Sequence, residues 1–168
     1  ILHRSLPALD WIGVNYYSRT LVGWPLPASS AGGGERTDFG WEIYPEGLYA
    51  VLRRLARFGK PVVITENGVA DADDDQRLGY IHAHLRQVHR AIADGVDVRG
   101  YMHWTLLDNY EWAEGYQQHF GLATRDRQLR PSASFYGQIA RSNAVPEPLV
   151  ARSAAAEIPV SRRFRPRS

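Results

Sequence analysis

The 168-residue chain has no cysteine, so disulfides are excluded and the redox compartment is left open. Methionine is nearly absent too. Its one copy is Met102, deep in the chain, and the first residue is Ile1. A complete reading frame is therefore not expected, and the lack of a visible signal peptide at Ile1 carries little weight; the cytoplasm is the favoured compartment. No apolar run approaches the roughly 20 residues that a membrane helix needs, so no membrane partner is expected. Strong charge of one sign is missing from the body of the chain. The net charge is +2, but Val145 to Ser168 alone holds five arginines and two glutamates, which leaves the rest one unit negative. A nucleic-acid binder carries its basic excess on a folded face or groove. Here the excess sits in a Pro/Ala/Arg-rich tail, so no nucleic-acid partner is expected.

What is present reads as globular: 44% hydrophobic and 11% aromatic residues. Three apolar runs bounded by turn signals, Trp11 to Tyr17, Pro61 to Thr65 and Val98 to Trp104, fit strands buried on both faces, as in parallel sheets. Between them lie helical patterns. Pro45 and Glu46 suit a first turn. Leu48, Leu52, Leu55 and Phe58 then recur at helical spacing up to Gly59. Leu78, Ile81, Leu85, Val88 and Ile92 form a second stripe, closed by Gly95. A last helix is expected over Ser132 to Arg141. Alternation of strand and helix argues for an α/β fold with right-handed parallel crossovers. A complete eightfold barrel takes about 250 residues, so three such units are a piece of one. A small doubly wound sheet is the alternative, but no Gly-x-Gly-x-x-Gly follows the first strand. Ala31 to Gly34 marks a flexible loop. Residues 1–143 read as one folded unit and 144–168 as a disordered tail.

Two places carry chemistry. Glu66, in ITENG, directly follows a buried-looking strand and precedes the Asn67-Gly68 turn signal. The carboxyl ends of barrel strands face the active site, so a carboxylate there is placed for catalysis. The second place is WTLLDNYEWAEGY, Trp104 to Tyr116, which interleaves aromatic rings with Asp108, Glu111 and Glu114. Indole faces cover the apolar C–H face of a sugar, and carboxylates accept its hydroxyls at about 1.5–3 kcal/mol each. Alone, Glu66 reads first as a solvated loop glutamate, and the aromatic segment equally as packed core.

The runs NYYS, GWEIYPEGLY, ITENG and GYMHWTLLDNYEWAEGY, in that order and spacing, resemble glycoside hydrolase family 1. That family comprises β-glucosidases, β-galactosidases and 6-phospho-β-glycosidases. The resemblance covers nearly all of residues 9–141. It implies that the chain holds strands six, seven and eight of a TIM (β/α)8 barrel. It implies a retaining β-glucosidase in which Glu66 is the nucleophile and Tyr17 donates its hydroxyl to the Glu66 carboxylate, favouring the ionised form. By the same resemblance Asn15 is a neighbouring polar contact and Trp104 the platform under the glycone ring. Glu111 and Trp112 bind its outer hydroxyls, Phe120 lines that end of the pocket, and Trp41 flanks the aglycone. The implied ligand is a β-glucoside or β-linked oligosaccharide, with neither metal nor organic cofactor. Glu111 would repel a phosphate dianion, which favours an unphosphorylated sugar over the 6-phospho substrates.

Thr105, Tyr110 and Ala123-Thr124 depart from the family's usual residues without touching a catalytic role. The family's Asn-Glu-Pro segment, whose glutamate is the general acid/base, occurs nowhere in the chain. The expected partner is therefore a missing N-terminal barrel half. The rival reading is a non-catalytic truncated fragment or split-barrel subunit with at most weak sugar binding. Two further features are read as structural. His82 and His84 project to different helix faces and cannot converge on a metal. Asp71 to Asp75 (DADDD) lacks the pattern of a calcium loop and reads as a solvated loop capping the following helix.

Overall fold

A computed structural model describes residues 8–22 and 34–146. Most of the expected tail and of the Ala31–Gly34 loop lie outside the described residues. Strand β1 covers Ile12–Asn15, helix α1 Pro45–Ala56, β2 Val62–Asn67, α2 Arg77–Ala93, β3 Val98–His103 and α3 Pro131–Ser142. The strands form one sheet in the order β1-β2-β3, both pairings parallel. The alternation expected from the sequence is thus what the chain adopts.

The helices follow their local signals. Pro45 opens α1, where a missing N–H costs nothing, and Glu46 complements the dipole of the first turn. Gly59 and Gly95, just past α1 and α2, have positive φ (63° and 86°), the conformation that ends a helix without a Cβ clash. Asn143 closes α3 in the same left-handed region.

Three local readings are corrected. β2 runs on through Glu66 and Asn67, so the glutamate is part of the strand rather than just past it. β1 stops at Asn15, where the pairing with β2 shifts register between Val14 and Asn15, and Tyr16 and Tyr17 leave the strand. In α2 the buried stripe is rotated from the one read off the aliphatics: Arg77, Tyr80 and His84 are buried with Ile81, Leu85, Val88 and Ala91, while Ile92 is exposed. Polar side chains with buried partners, invisible to a hydrophobic pattern, caused that miss.

The acidic loop is likewise less solvated than its composition suggests. Asp71 is buried and accepts from the backbone N–H groups of Gln76 and Arg77, capping α2 from outside it. Buried Arg77 pairs with Asp74 and donates to the His119 carbonyl at 2.8 Å, tying this loop to the segment beyond β3.

All the helices lie on one side. Val14, Val62 and Ile64 pack with Leu48 and Leu52 of α1 and Val88 and Ala91 of α2. Tyr101 reaches a second cluster of Ile81, Leu85, Leu122, Phe135 and Ile139. The opposite face is bare among the described residues: Gly13 and Asn15 are exposed, Met102 is 55% exposed, and Trp11, whose ring lies over Gly13, is 50% exposed. No described helix is long and apolar enough to cross a membrane.

Candidate active site

Parallel strands present their carboxyl ends together, and here three successive ends carry the expected chemistry. Tyr17 lies just past β1, Glu66 is the penultimate residue of β2, and Trp104 directly follows β3. With Phe39, Trp41, Glu111, Trp112, Ala113, Glu114 and Phe120 they line a cleft of about 410 Å³. A larger depression of about 520 Å³ on the outer side of α2, lined by Arg86, Gln87, His89, Arg90 and residues 143–145, contains none of these groups.

The Tyr17 hydroxyl donates to Glu66 Oε2 at 2.7 Å. Burial, reinforced by that bond to a carboxylate, pushes the Tyr17 hydroxyl well above its ordinary value, so it remains a donor. Its ring is set by edge contacts, with centroids 5.5 Å from Trp41 and 6.1 Å from Phe120. Phe39 stacks on Trp41 at 4.3 Å. The chain around Trp41 is held from two sides. Thr37 N–H donates to the Trp41 carbonyl and Thr37 Oγ1 accepts from Trp41 N–H, while Glu42 forms a two-bond pair with Arg19 at 2.7 and 2.9 Å.

The opposite wall is a loop excursion. Thr105 to Asp108 hydrogen-bonds along Phe120 to Ala123, and residues 109–119 swing out between them. Asp108 clamps the base, accepting from Gly121 N–H at 2.8 Å, Arg130 at 2.9 and 3.1 Å, and His119 Nδ1 at 3.1 Å. Burial alone would raise the Asp108 carboxyl, but Arg130, His119 and the Gly121 amide outweigh it and hold the group below its ordinary value. At the tip, Trp104 Nε1 donates to Glu111 Oε1 at 3.0 Å, joining the indole platform to a carboxylate. Trp112 sits in a one-turn 3-10 helix at φ 46° and is 87% exposed. The left-handed region costs a non-glycine residue about 1–2 kcal/mol, spent here on presenting an indole at the cleft mouth.

The structure thus brings Tyr17, Trp41, Glu66, Trp104, Glu111, Trp112 and Phe120 around one cleft. Asn15 is not among its lining residues. Its amide oxygen accepts from Thr65 Oγ1 at 2.6 Å on the bare face of the sheet. Sequence reading missed Phe39 as a wall residue, though an aromatic two positions before Trp41 was a usable signal. It also left Glu114 without a role in the cleft. Three carboxylates and no lysine or arginine line the space, which disfavours an anionic ligand.

The family model of glycosyl hydrolase family 1 matches residues 6–145. A β-galactosidase of Sulfolobus acidocaldarius is 48% identical over 165 residues, covering 84% of this chain and 33% of that protein. β-Glucosidase A of Acetivibrio thermocellus is 39% identical over 160 residues, covering 80% and 36%. The crystal structure of a hyperthermophilic β-glucosidase from Pyrococcus furiosus superimposes with a TM-score of 0.81 at 43% identity, over 86% of this chain and 35% of that one. The chain spans about a third of the length of these relatives. It belongs to glycosyl hydrolase family 1.

Proposed function

We propose that this chain is the C-terminal part of a retaining β-glucosidase, holding strands six to eight of a (β/α)8 barrel within residues 1–143. The observation that carries the reading is the 2.7 Å hydrogen bond from Tyr17 to Glu66 at the carboxyl end of a parallel sheet, facing the Trp104–Glu111 pair. The bare sheet face and the chain's length, a third of its relatives', support the partial barrel, because barrel strands pack their inner residues against one another.

Glu66 attacks the anomeric carbon while the bond to the leaving oxygen breaks, and an acid/base carboxyl from the rest of the barrel protonates that oxygen. The same group then takes a proton from water, which displaces Glu66 and restores the original anomeric configuration. Tyr17 donates to Glu66 and keeps it aimed. Trp104 covers the C–H face of the sugar, Glu111 and Trp112 take its outer hydroxyls, and Trp41 flanks the aglycone. The proposed substrate is a β-linked glucoside without a phosphate. Comparing kcat/KM on aryl β-glucoside and aryl β-galactoside tests the choice of sugar.

In the parent polypeptide, Glu66→Gln should lower kcat by at least about 10³-fold, the scale of removing a covalent nucleophile. Wild-type hydrolysis should release the β-anomer first, observed by NMR before mutarotation. Wild-type turnover by the variant, or release of the α-anomer, would sink the assignment. A second reading, a non-catalytic piece that completes a barrel with another chain, is favoured by the bare face and the two unpaired edges of the described sheet. Hydrolysis of an activated aryl β-glucoside by the 168-residue chain alone would count against it.

A further inference from the structure

Behind the cleft lies a buried polar side chain with no part in the proposed chemistry. Asn67, the residue after Glu66, is fully buried. Its Nδ2 donates to the Tyr16 carbonyl at 2.7 Å and to the Tyr80 hydroxyl at 2.9 Å, and its Oδ1 accepts from the Tyr101 hydroxyl at 2.7 Å. Both amide hydrogens and the carbonyl oxygen are thus engaged. The Tyr80 hydroxyl in turn donates to the Tyr17 carbonyl at 3.3 Å. The two carbonyls that bracket Tyr17 are therefore both anchored, one by Asn67 directly and the other through Tyr80. Glu66 itself is locked to the same place, since its carbonyl accepts from Tyr16 N–H at 2.9 Å.

The backbone of Asn67 reaches the third strand end. Its carbonyl accepts from Trp104 N–H at 3.0 Å. The next residue must be glycine: a Cβ on Gly68 would lie 1.9 Å from the Trp104 carbonyl oxygen. One residue thus connects the peptide planes on either side of Tyr17, the main chain of Glu66 and the main chain of Trp104.

We propose that Asn67 is a positioning residue for the reaction at Glu66, acting with Tyr80 to fix Tyr17 against the Glu66 carboxylate. The inference rests on the reading of Glu66 as nucleophile. Its physical basis is that a hydrogen bond to a charged acceptor weakens steeply with misalignment. Loosening the peptide planes of Tyr17 costs the carboxylate its donor without touching substrate. Asn67 and Tyr80 are absent from the cleft lining. The charged and titratable groups that share the cleft with Glu66 are Tyr17, Glu111 and Glu114, and these remain in place.

The test is a double-mutant cycle in the parent polypeptide, read as the pH profile of kcat/KM on an activated aryl β-glucoside. Tyr80→Phe and Asn67→Ala should each lower kcat/KM about tenfold, with the loss mainly in kcat, and should move the acid limb of the profile to higher pH. Tyr17→Phe should do the same. In the Tyr17→Phe background, Tyr80→Phe should have no further effect on the acid limb, because the hydroxyl it positions is already gone. Full additivity there, or an acid limb that stays put while activity falls in step with the melting temperature, would overturn the proposal. Should Asn67→Ala fail to fold, Tyr80→Phe and its combination with Tyr17→Phe decide alone. Glu66→Gln separates the two claims: an active Glu66→Gln enzyme removes the nucleophile reading, whereas an inactive one with an additive cycle removes only the role of Asn67.

Discussion

The two walls of the cleft are built on different foundations. Tyr17, Glu66 and Trp104 stand on strand ends backed by Asn67, Tyr80 and Tyr101, whose hydroxyls and amide are satisfied by one another. Glu111 and Trp112 stand on an eleven-residue excursion fastened at its base by Asp108 and by the bonds of Asp71 and Arg77 to the His119 carbonyl, and at its tip by one bond from Trp104 to Glu111. The proposed nucleophile and its hydrogen-bond donor are held by the sheet, where a displacement of tenths of an ångström disturbs a packed interior. The proposed sugar-binding groups sit where the backbone can vary without disturbing that interior.

The contrast can be broken most severely at Asp108. Replacing it by alanine leaves Arg130 and the Gly121 N–H without their buried partner, and should destabilise the parent protein by about 3 kcal/mol, the low end for removing one member of a buried pair. Chemical denaturation measures that loss. KM should rise more than kcat falls, since the recognition wall moves and Glu66 does not. An unchanged KM would mean that the loop is held by something other than its base.

Acid probes the other wall. Burial lowers His84 to about 4, and burial with the nearby Arg77 charge lowers His103 to about 3. His84 stacks on Tyr80 at 3.9 Å, directly behind the Asn67 network. In the unfolded chain both titrate near 6.5. Their contribution is therefore complete above that pH and is lost as pH falls from about 6.5 toward 4 and 3, at about 1.4 kcal/mol per histidine per pH unit. Melting curves from pH 7.5 to 5 should show this slope, and His84→Phe, which keeps the stacked ring, should flatten it. An unaltered slope in that variant would exclude His84 as a source.

The mildest perturbation is Trp112→Ala. With 87% of the residue already in solvent, stability should change by less than about 0.5 kcal/mol. KM for a glucoside should rise about tenfold, the order of one lost sugar contact at a charged or aromatic group. A large fall in kcat with KM constant would instead move Trp112 into the reacting set.

Much of this was legible in the sequence because the groups concerned are read along the chain. Glu66 follows a β-branched run, and Trp104, Glu111 and Trp112 fall within nine residues. Helical spacing placed α1, α2 and α3 to within a residue or two at most ends. What escaped was what depends on partners distant in sequence. Tyr80 and His84 fall outside the aliphatic stripe, yet both are buried: Tyr80 takes a bond from Asn67, thirteen residues earlier, and His84 stacks on Tyr80. The capping of α2 by the Asp71 to Asp75 loop was read from the sequence, but the burial of Asp71 that accompanies it was not. Asn15, given by resemblance as a polar neighbour of the nucleophile, stands opposite Glu66 in the strand pairing; its bond to Thr65, on the face that the described residues leave uncovered, was the part not legible.

The uncovered face also bears on how such a barrel is assembled during synthesis. In the proposed whole, β1, β2 and β3 leave the ribosome last, so five earlier strands are available before this sheet forms. Its open edges and the wet side of Trp11 and Met102 then meet a preformed template rather than another nascent chain. Synthesis order thereby shields the surface most prone to misassociation, and closing the ring becomes the event that dries the interior.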